Sequence, residues 1–395
     1  MGTTNRGTGV LLLLGLAHSL NHSLFLVLPP LLEEITQDLG ASYQAIGAVA
    51  TVSFFLYGAG ALVGGPLSDR VGYVRVAGIS IAVAGVSTAL FLLPKSLGVF
   101  SAGMYLLAIW ASFYHPVANT LIAKLFPVNT AGAMGLHGAA ASLGQMFTPT
   151  VAYLIGVYLD WRYAFAFFGA VSVVTGLLLL RVPGVRLPEA SEMVSPFKVL
   201  RVPNLWVIVM FNVVLGLFQR GVELFFPAFI SADRGFSGQW AAVANSVLLL
   251  FGVVGQLVGG KAADRYSSER VVIVSSAGMV ASMLILLLVP SPHVGVPLFV
   301  VLYGVSLYGH QPAMTALLGR VSPPSLMGAA YGVMFFFAFG LGSASAAIAG
   351  YIADSFSLEA SFWIMAMFAS MALGISLIIP RVMRRSRGAE NFDTI

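Results

Sequence analysis

The chain has 395 residues, of which 58% are hydrophobic and only 9% charged, against roughly 25% charged in an ordinary soluble domain. A soluble fold of this length could not cover its surface with so few charges, whereas a bilayer demands an apolar surface. The absence of Cys excludes disulfides and thiolate metal sites, and the formal charge of +5 suggests nucleic acid only until the charges are located.

Residues 1–8 are short and polar, so no cleavable signal peptide is expected, and Arg6 stands where a myristoylation signal needs Ser or Thr. Apolar runs of about 20 residues, the length that crosses the hydrocarbon, lie near 9–36, 43–68, 74–94, 97–123, 131–158 and 161–182. A Pro-rich stretch with both signs of charge, 183–202, follows. Six further runs lie near 203–231, 238–262, 271–290, 294–320, 325–353 and 358–380, ahead of a polar tail, 381–395. The break at Pro94–Lys95 is the shortest and makes eleven spans the competing count. Lys and Arg collect in cytoplasmic loops and so test the count. With the N-terminus inside, sixteen of them fall inside, Lys95, Arg162 and Arg234 fall outside, and Arg220 lies within span 7. This alternation supports twelve spans with both termini cytoplasmic. It makes the basic excess a topological signal, and no nucleic-acid partner is expected.

The chain repeats at about half its length. Gly65-Pro66-Leu67-Ser68-Asp69-Arg70 recurs as Gly260-Lys261-Ala262-Ala263-Asp264-Arg265, an offset of 195 that Arg75 and Arg270 share. Pro116, Lys124, Pro127, Gly132 and Gly144 answer to Pro312, Arg320, Pro323, Gly328 and Gly340 at an offset of 196. The predicted fold is an all-α membrane protein of twelve transmembrane helices in two pseudo-symmetric six-helix bundles, 1–182 and 203–380, joined by the cytoplasmic linker 183–202.

The stretch from Gly65 to Arg75 resembles the loop 2–3 signature of the major facilitator superfamily, G-x-L-x-D-R-x-G-R-K, and lies between spans 2 and 3 as it does there. Tyr73 and Val74 replace the usual basic pair, leaving the positive charge on Arg70 and Arg75. Asp69, at a helix end, can pair with Arg or a helix dipole across the bundle interface. The expected gating set is therefore Gly65, Asp69, Arg70, Gly72 and Arg75 with Asp264, Arg265 and Arg270. Phe113-Tyr114-His115-Pro116, Gly135-Leu136-His137-Gly138 with Ser142-Leu143-Gly144, and Asp160-Trp161-Arg162-Tyr163 resemble the fosmidomycin-resistance-like branch of that superfamily. The N-terminal Ala17-His18-Ser19-Leu20-Asn21-His22 agrees with it. Val117 stands where relatives often carry an acidic residue after His-Pro. Gly135, Gly144 and Pro149 fit part of an antiporter signature, and close helix packing explains them equally well.

Polar side chains at lipid depth are costly and usually face a cavity. They concentrate in spans 1, 4, 7 and 10: His18, Asn21 and His22; His115 and Asn119; Gln219, Arg220 and Glu223, with Asn212; and His310 and Gln311. The resemblance implies that these four spans line the central path. Aligning Pro29 with Pro227 places Asn21 on Gln219 and His22 on Arg220, at one depth. Arg220 and Glu223, at i, i+3, are the only charges deep within any span, and pairing is far cheaper than isolation. Arg220 can offer its guanidinium fork to an anionic group, and Glu223 can take a proton when the solute displaces it.

The resemblance implies a secondary transporter that rocks two bundles about a midplane site. The expected function is proton-coupled efflux of a small anionic or amphiphilic organic solute, across the inner membrane, by a monomer without cofactor. Proton-coupled uptake of a carboxylate uses the same residues. His18, His22, His115 and His310 with Glu223 also allow a transition-metal reading, although nothing in the sequence fixes a tetrahedral spacing. A membrane enzyme is the remaining class, without acid, base and nucleophile at diagnostic spacing. No phosphate-cradling G-x-x-x-x-G-K-[ST] loop occurs, so ATP-driven pumping is not expected.

Overall fold

The structure, a computed structural model, describes residues 2–126, 130–182, 200–202, 204–322 and 327–390. Backbone groups in hydrocarbon must be bonded within the chain, which leaves helices as the natural element, and among the described residues every regular element is helical. Span 1 comprises α1 (Gly2–Leu26), a 3-10 turn over Pro29–Leu31, and α2 (Leu32–Leu39). Spans 2 and 3 are α3 (Tyr43–Val71) and α4 (Tyr73–Ser87). Span 4 is split into α5 (Leu97–Ser112) and α6 (Tyr114–Leu125), followed by α7 (Thr130–Tyr158) and α8 (Trp161–Leu180). The second half repeats this order with α9 (Leu205–Ala232), α10 (Gly238–Arg265), α11 (Ser268–Leu288) and α12 (Pro292–Val321). Span 11 is α13 (Met327–Gly340) with α14 (Ala344–Ser355), and span 12 is α15 (Leu358–Ser376) continued by α16 (Ile379–Glu390).

Eleven spans are long and apolar enough to cross a membrane by length and composition. The twelfth, α7, is 29 residues long but diluted by glycines and by His137, Gln145, Thr148 and Thr150. It packs between α1 and α10. Residues 183–199 of the expected linker lie outside the described residues, as do Pro127 and Pro323 of the repeat.

Local chemistry explains where helices start and stop. Ser42, Ser96, Asp160, Ser267 and Ser357 each accept a backbone N–H of the first turn that follows, which caps α3, α5, α8, α11 and α15. Pro116 lacks the N–H that would reach the carbonyl of Ser112, and span 4 breaks beside it at Phe113. Its repeat partner Pro312 sits inside an unbroken α12. Gly72, at φ +100, joins α3 to α4 through a single residue, a conformation that a side chain would strain.

The two halves meet through span 2 against span 11 and span 5 against span 8, two contacts that the repeat exchanges. Here the terminal end means the side carrying both chain termini, and the far end the opposite side. Asp354 accepts from the N–H groups of Tyr43 (3.1 Å) and Gln44 (2.7 Å), capping α3 from the other bundle. Thr51 and Ser343 exchange hydroxyl-to-carbonyl bonds of 2.8 and 3.0 Å. Thr150 and Ser246 meet at 2.8 Å on the second contact. Gly47 lies so close to Ala346 that a Cβ there would stand 2.2 Å from its carbonyl oxygen. These ties all lie toward the far end.

The buried core tells the same story. One apolar cluster runs through both bundles, including the far-end residues Leu31, Ile46, Phe100 and Phe165. The terminal half of the first bundle, with Val10, Leu14, Val76, Leu121 and Leu179, forms a separate cluster. Among the described residues the bundles are therefore joined at the far end, and the shared core does not extend into the terminal half of the first bundle. Around them, exposed Phe147, Leu159, Trp240, Leu257 and Val274 make an apolar periphery suited to lipid.

Candidate functional site

A cavity of about 510 Å³ lies between the bundles. Of the ten residues expected at the solute path, His18, His22, His115, Asn119, Gln219, Arg220, Glu223, His310 and Gln311 line it. Asn21 does not: it is fully buried, donates to the carbonyl of Ala111 (2.8 Å) and accepts from the Tyr57 hydroxyl (2.7 Å). Asn21 thus fixes Tyr57, which does line the cavity.

The first-bundle wall is an aromatic and imidazole cluster. His18 and His22, one turn apart on α1, face each other with Nε2 atoms 3.2 Å apart. The break at Phe113 starts α6 so that Tyr114 and His115 both turn toward them. The His115 ring lies 4.8 Å from that of His18 and 5.1 Å from that of His22. His137, on α7, stacks on His18 at 4.2 Å and 18°. Its Nε2 meets the Tyr114 hydroxyl at 3.1 Å, and that hydroxyl also donates to the carbonyl of Leu14. The His115 Nε2 is buried without a hydrogen-bond partner.

The opposite wall carries the charge. Arg220 Nη1 donates to Glu223 Oε2 at 2.7 Å, and Gln219 Nε2 donates to Glu223 Oε1 at 2.6 Å. The guanidinium lies over two rings, 4.7 Å from Phe54 of span 2 and 4.5 Å from Phe339 of span 11, and each ring gives it a cation–π contact. Its Nε is buried without a partner. Gln256 donates to Gln311 (3.0 Å), and His310 Nδ1 approaches the carbonyl of Leu307. The i, i+3 spacing already indicated the Arg220–Glu223 pair. The two ring contacts had no sequence signal, because phenylalanines are ordinary in membrane helices. His137 did have one, being a polar residue at lipid depth in span 5.

Of the residues expected to gate, Arg70, Gly72, Arg75, Asp264, Arg265 and Arg270 do not line the cavity. Arg70, Arg75, Asp264, Arg265 and Arg270 are exposed at the terminal end. Gly65 and Asp69 are helical in α3, and their surroundings lie outside the described residues. Tyr73, which replaces a basic residue of the motif, takes the Lys124 ammonium against its hydroxyl (3.1 Å) and ring (4.6 Å). Arg320, the repeat partner of Lys124, docks on Ser268 (2.7 Å) and Glu269 (3.1 Å) at the start of α11. Both bundles thus close the same corner with a cation. At the far end, Lys95 meets Asp38 at 2.5 Å, Trp161 donates to Asp38 (2.8 Å), and Arg162 forks onto Asp160 with two 2.9 Å bonds. Burial works against ionisation of Asp160, but the Arg162 bonds and the nearby Lys95 outweigh it and hold the carboxyl below the usual range.

The model of the Major Facilitator Superfamily matches residues 11–347. The probable sulfoacetate transporter SauU of Cupriavidus necator is 26% identical over 253 residues, 58% of this chain and 59% of that protein. The chain thus spans less than two thirds of that relative's length. The gentisate transporter of Corynebacterium glutamicum is 25% identical over 335 residues, 81% of this chain and 74% of that protein. The crystal structure of a mutant of the nucleoside transporter NupG is similar at a TM-score of 0.82, covering 94% of this chain and 99% of its own, with 14% identity. At that identity the likeness concerns the fold alone.

Proposed function

Because the chain belongs to the Major Facilitator Superfamily, we propose that it is a secondary transporter that carries a small organic anion together with a proton by alternating access. The observation that carries this reading is the Arg220–Glu223 pair, at 2.7 Å and facing the cavity between the bundles. With no solute, the carboxylate neutralises the guanidinium. An incoming carboxylate or sulfonate competes for the same fork. Once displaced, Glu223 faces a desolvated site without its cation, and protonation removes that cost. Anion and proton therefore bind together, and the site moves with net neutral cargo.

Two relatives are named for sulfoacetate and gentisate, both organic acids, which supports an anionic solute. The resemblance to the fosmidomycin-resistance-like branch supports efflux instead. Efflux by exchange needs proton and solute to exclude each other, whereas this pair makes each favour the other. Symport, and hence uptake down an inward proton gradient, is the direction the geometry supports. The sixteen-to-three distribution of loop charges supports cytoplasmic termini in an inner membrane, so the described state opens inward. In this reading the exposed arginines of the loop 2–3 motif and its echo assemble when the terminal end closes.

Proteoliposomes holding the purified chain test the reading with radiolabelled small carboxylates and sulfonates. Acid outside should drive accumulation above equilibrium, whichever way the protein inserts. Accumulation only with acid inside would support exchange and overturn symport.

A further inference from the structure

We propose that His18, His22 and His115 form a binding site for one divalent first-row transition metal ion on the first-bundle wall of the cavity. The three side chains come from two spans, and their ligand atoms all lie within 4.8 Å of one another. Spacing along the chain could show the His18–His22 pair at i, i+4. It could not show His115, which the break of span 4 at Phe113 turns into the same corner.

Three observations point to an ion rather than to packing alone. The first is the tautomer of His18. Its Nδ1 lies 3.3 Å from the backbone carbonyl of His137, which can only accept, so the proton sits on Nδ1 and Nε2 presents a lone pair. A ring N–H held by a backbone carbonyl is the usual outer support of a metal-ligating histidine. Stacking on His137 fixes the same ring in plane. The second is the 3.2 Å separation of the His18 and His22 Nε2 atoms. Two ligand nitrogens on one tetrahedral ion at about 2.1 Å stand about 3.4 Å apart, so these two need scarcely move. The third is the His115 Nε2, buried with no hydrogen-bond partner. A buried nitrogen without a partner is destabilising, and a metal at the corner supplies one.

The charge balance permits a cation there. Arg220 is the cation of the opposite cavity wall, and Glu223 pairs with it at 2.7 Å. Of the other three histidines, His137 meets Tyr114 through Nε2, His310 meets the Leu307 carbonyl through Nδ1, and His293 does not line the cavity. Three imidazoles leave coordination positions open toward the cavity, as in sites where an exogenous ligand completes the shell. Imidazole donors suit zinc, nickel, cobalt or copper rather than magnesium or calcium.

The test uses the full chain, freed of any affinity tag and stripped with chelator, and the metal alone. It reads no transported solute, so it stands or fails independently of the symport reading. Titration with cobalt(II) should give one saturating equivalent with the absorption bands of an imidazole-bound ion, displaced by zinc. His115→Gln and His18→Gln should each weaken binding by at least about tenfold, the lower range for disturbing a metal shell. His293→Gln, at the start of α12 away from the cavity, should leave binding unchanged. X-ray absorption on the wild-type protein, which needs no variant to fold, should count three imidazoles around cobalt. No saturable binding, fewer than two imidazoles, or binding that survives His115→Gln would overturn the site and leave the cluster a hydrogen-bonded relay.

Discussion

Arg220 is held by three elements at once: Glu223 on its own helix, Phe54 on span 2 and Phe339 on span 11. Its removal should therefore be felt twice. Arg220→Gln leaves Glu223 without its cation in a low-dielectric wall, so that it must stay an unpaired charge or take up a proton, and should lower stability by roughly 1–3 kcal/mol, read as a fall in Tm. The double variant Arg220→Gln with Glu223→Gln should recover most of that loss, because no lone charge remains, yet still fail to bind anions. A pair that serves only as an internal neutraliser would instead show recovery of both. At this scale the sequence revealed the charges and their mutual spacing, since a charge at lipid depth is conspicuous. It concealed what surrounds them. Phe54 and Phe339 are separated in sequence from Arg220, and apolar residues in a membrane helix carry no mark of which face they serve. Asn21 shows the converse: it was visible as polar, but its bonds to Ala111 and Tyr57 make it a brace behind the cavity wall.

At the scale of elements, the far-end contacts tie the two bundles together in the described state. Asp354 caps α3 from across the interface, and Gly47 permits the approach of α14. Gly47→Leu would push spans 2 and 11 apart, and should shift the protein toward a state closed at the terminal end. A single-cysteine variant at Gly138, in the cavity wall, reports the shift as slower thiol labelling from the terminal side. The Asp160–Arg162 fork gives a pH-dependent prediction. The Asp160 carboxyl is held below its ordinary value, so its stabilisation is present above the unfolded pKa, near 4, and is lost as pH falls through the lower folded value. Asp160→Asn should therefore lower Tm at pH 7, and the difference from wild type should shrink below about pH 4. The spans were legible as apolar runs, but their exact ends were not, because the Ser and Asp caps that set them lie outside the apolar pattern. The break beside Pro116 and the continuity through Pro312 were not, because the neighbouring helices decide whether a proline splits its span.

For the whole molecule, twelve spans and the two-bundle repeat followed from hydropathy, loop charge and a constant offset, all properties that a bilayer imposes on sequence. The state did not follow, since the same contacts must form and break during a cycle. The split between a core shared by both bundles and a separate core at the terminal half of the first is visible only in three dimensions. The chain has no native Cys, so Thr51→Cys with Ser343→Cys can be introduced cleanly. Oxidation should lock the far end and stop transport, and reductant should restore it. In the proposed cycle one carboxylate on the cavity wall couples the proton to the anion, and Glu223→Gln in proteoliposomes probes that coupling. This variant should still exchange labelled for unlabelled organic anion across the membrane but no longer accumulate it under an inward proton gradient. Accumulation equal to wild type in that variant would rule the coupling out.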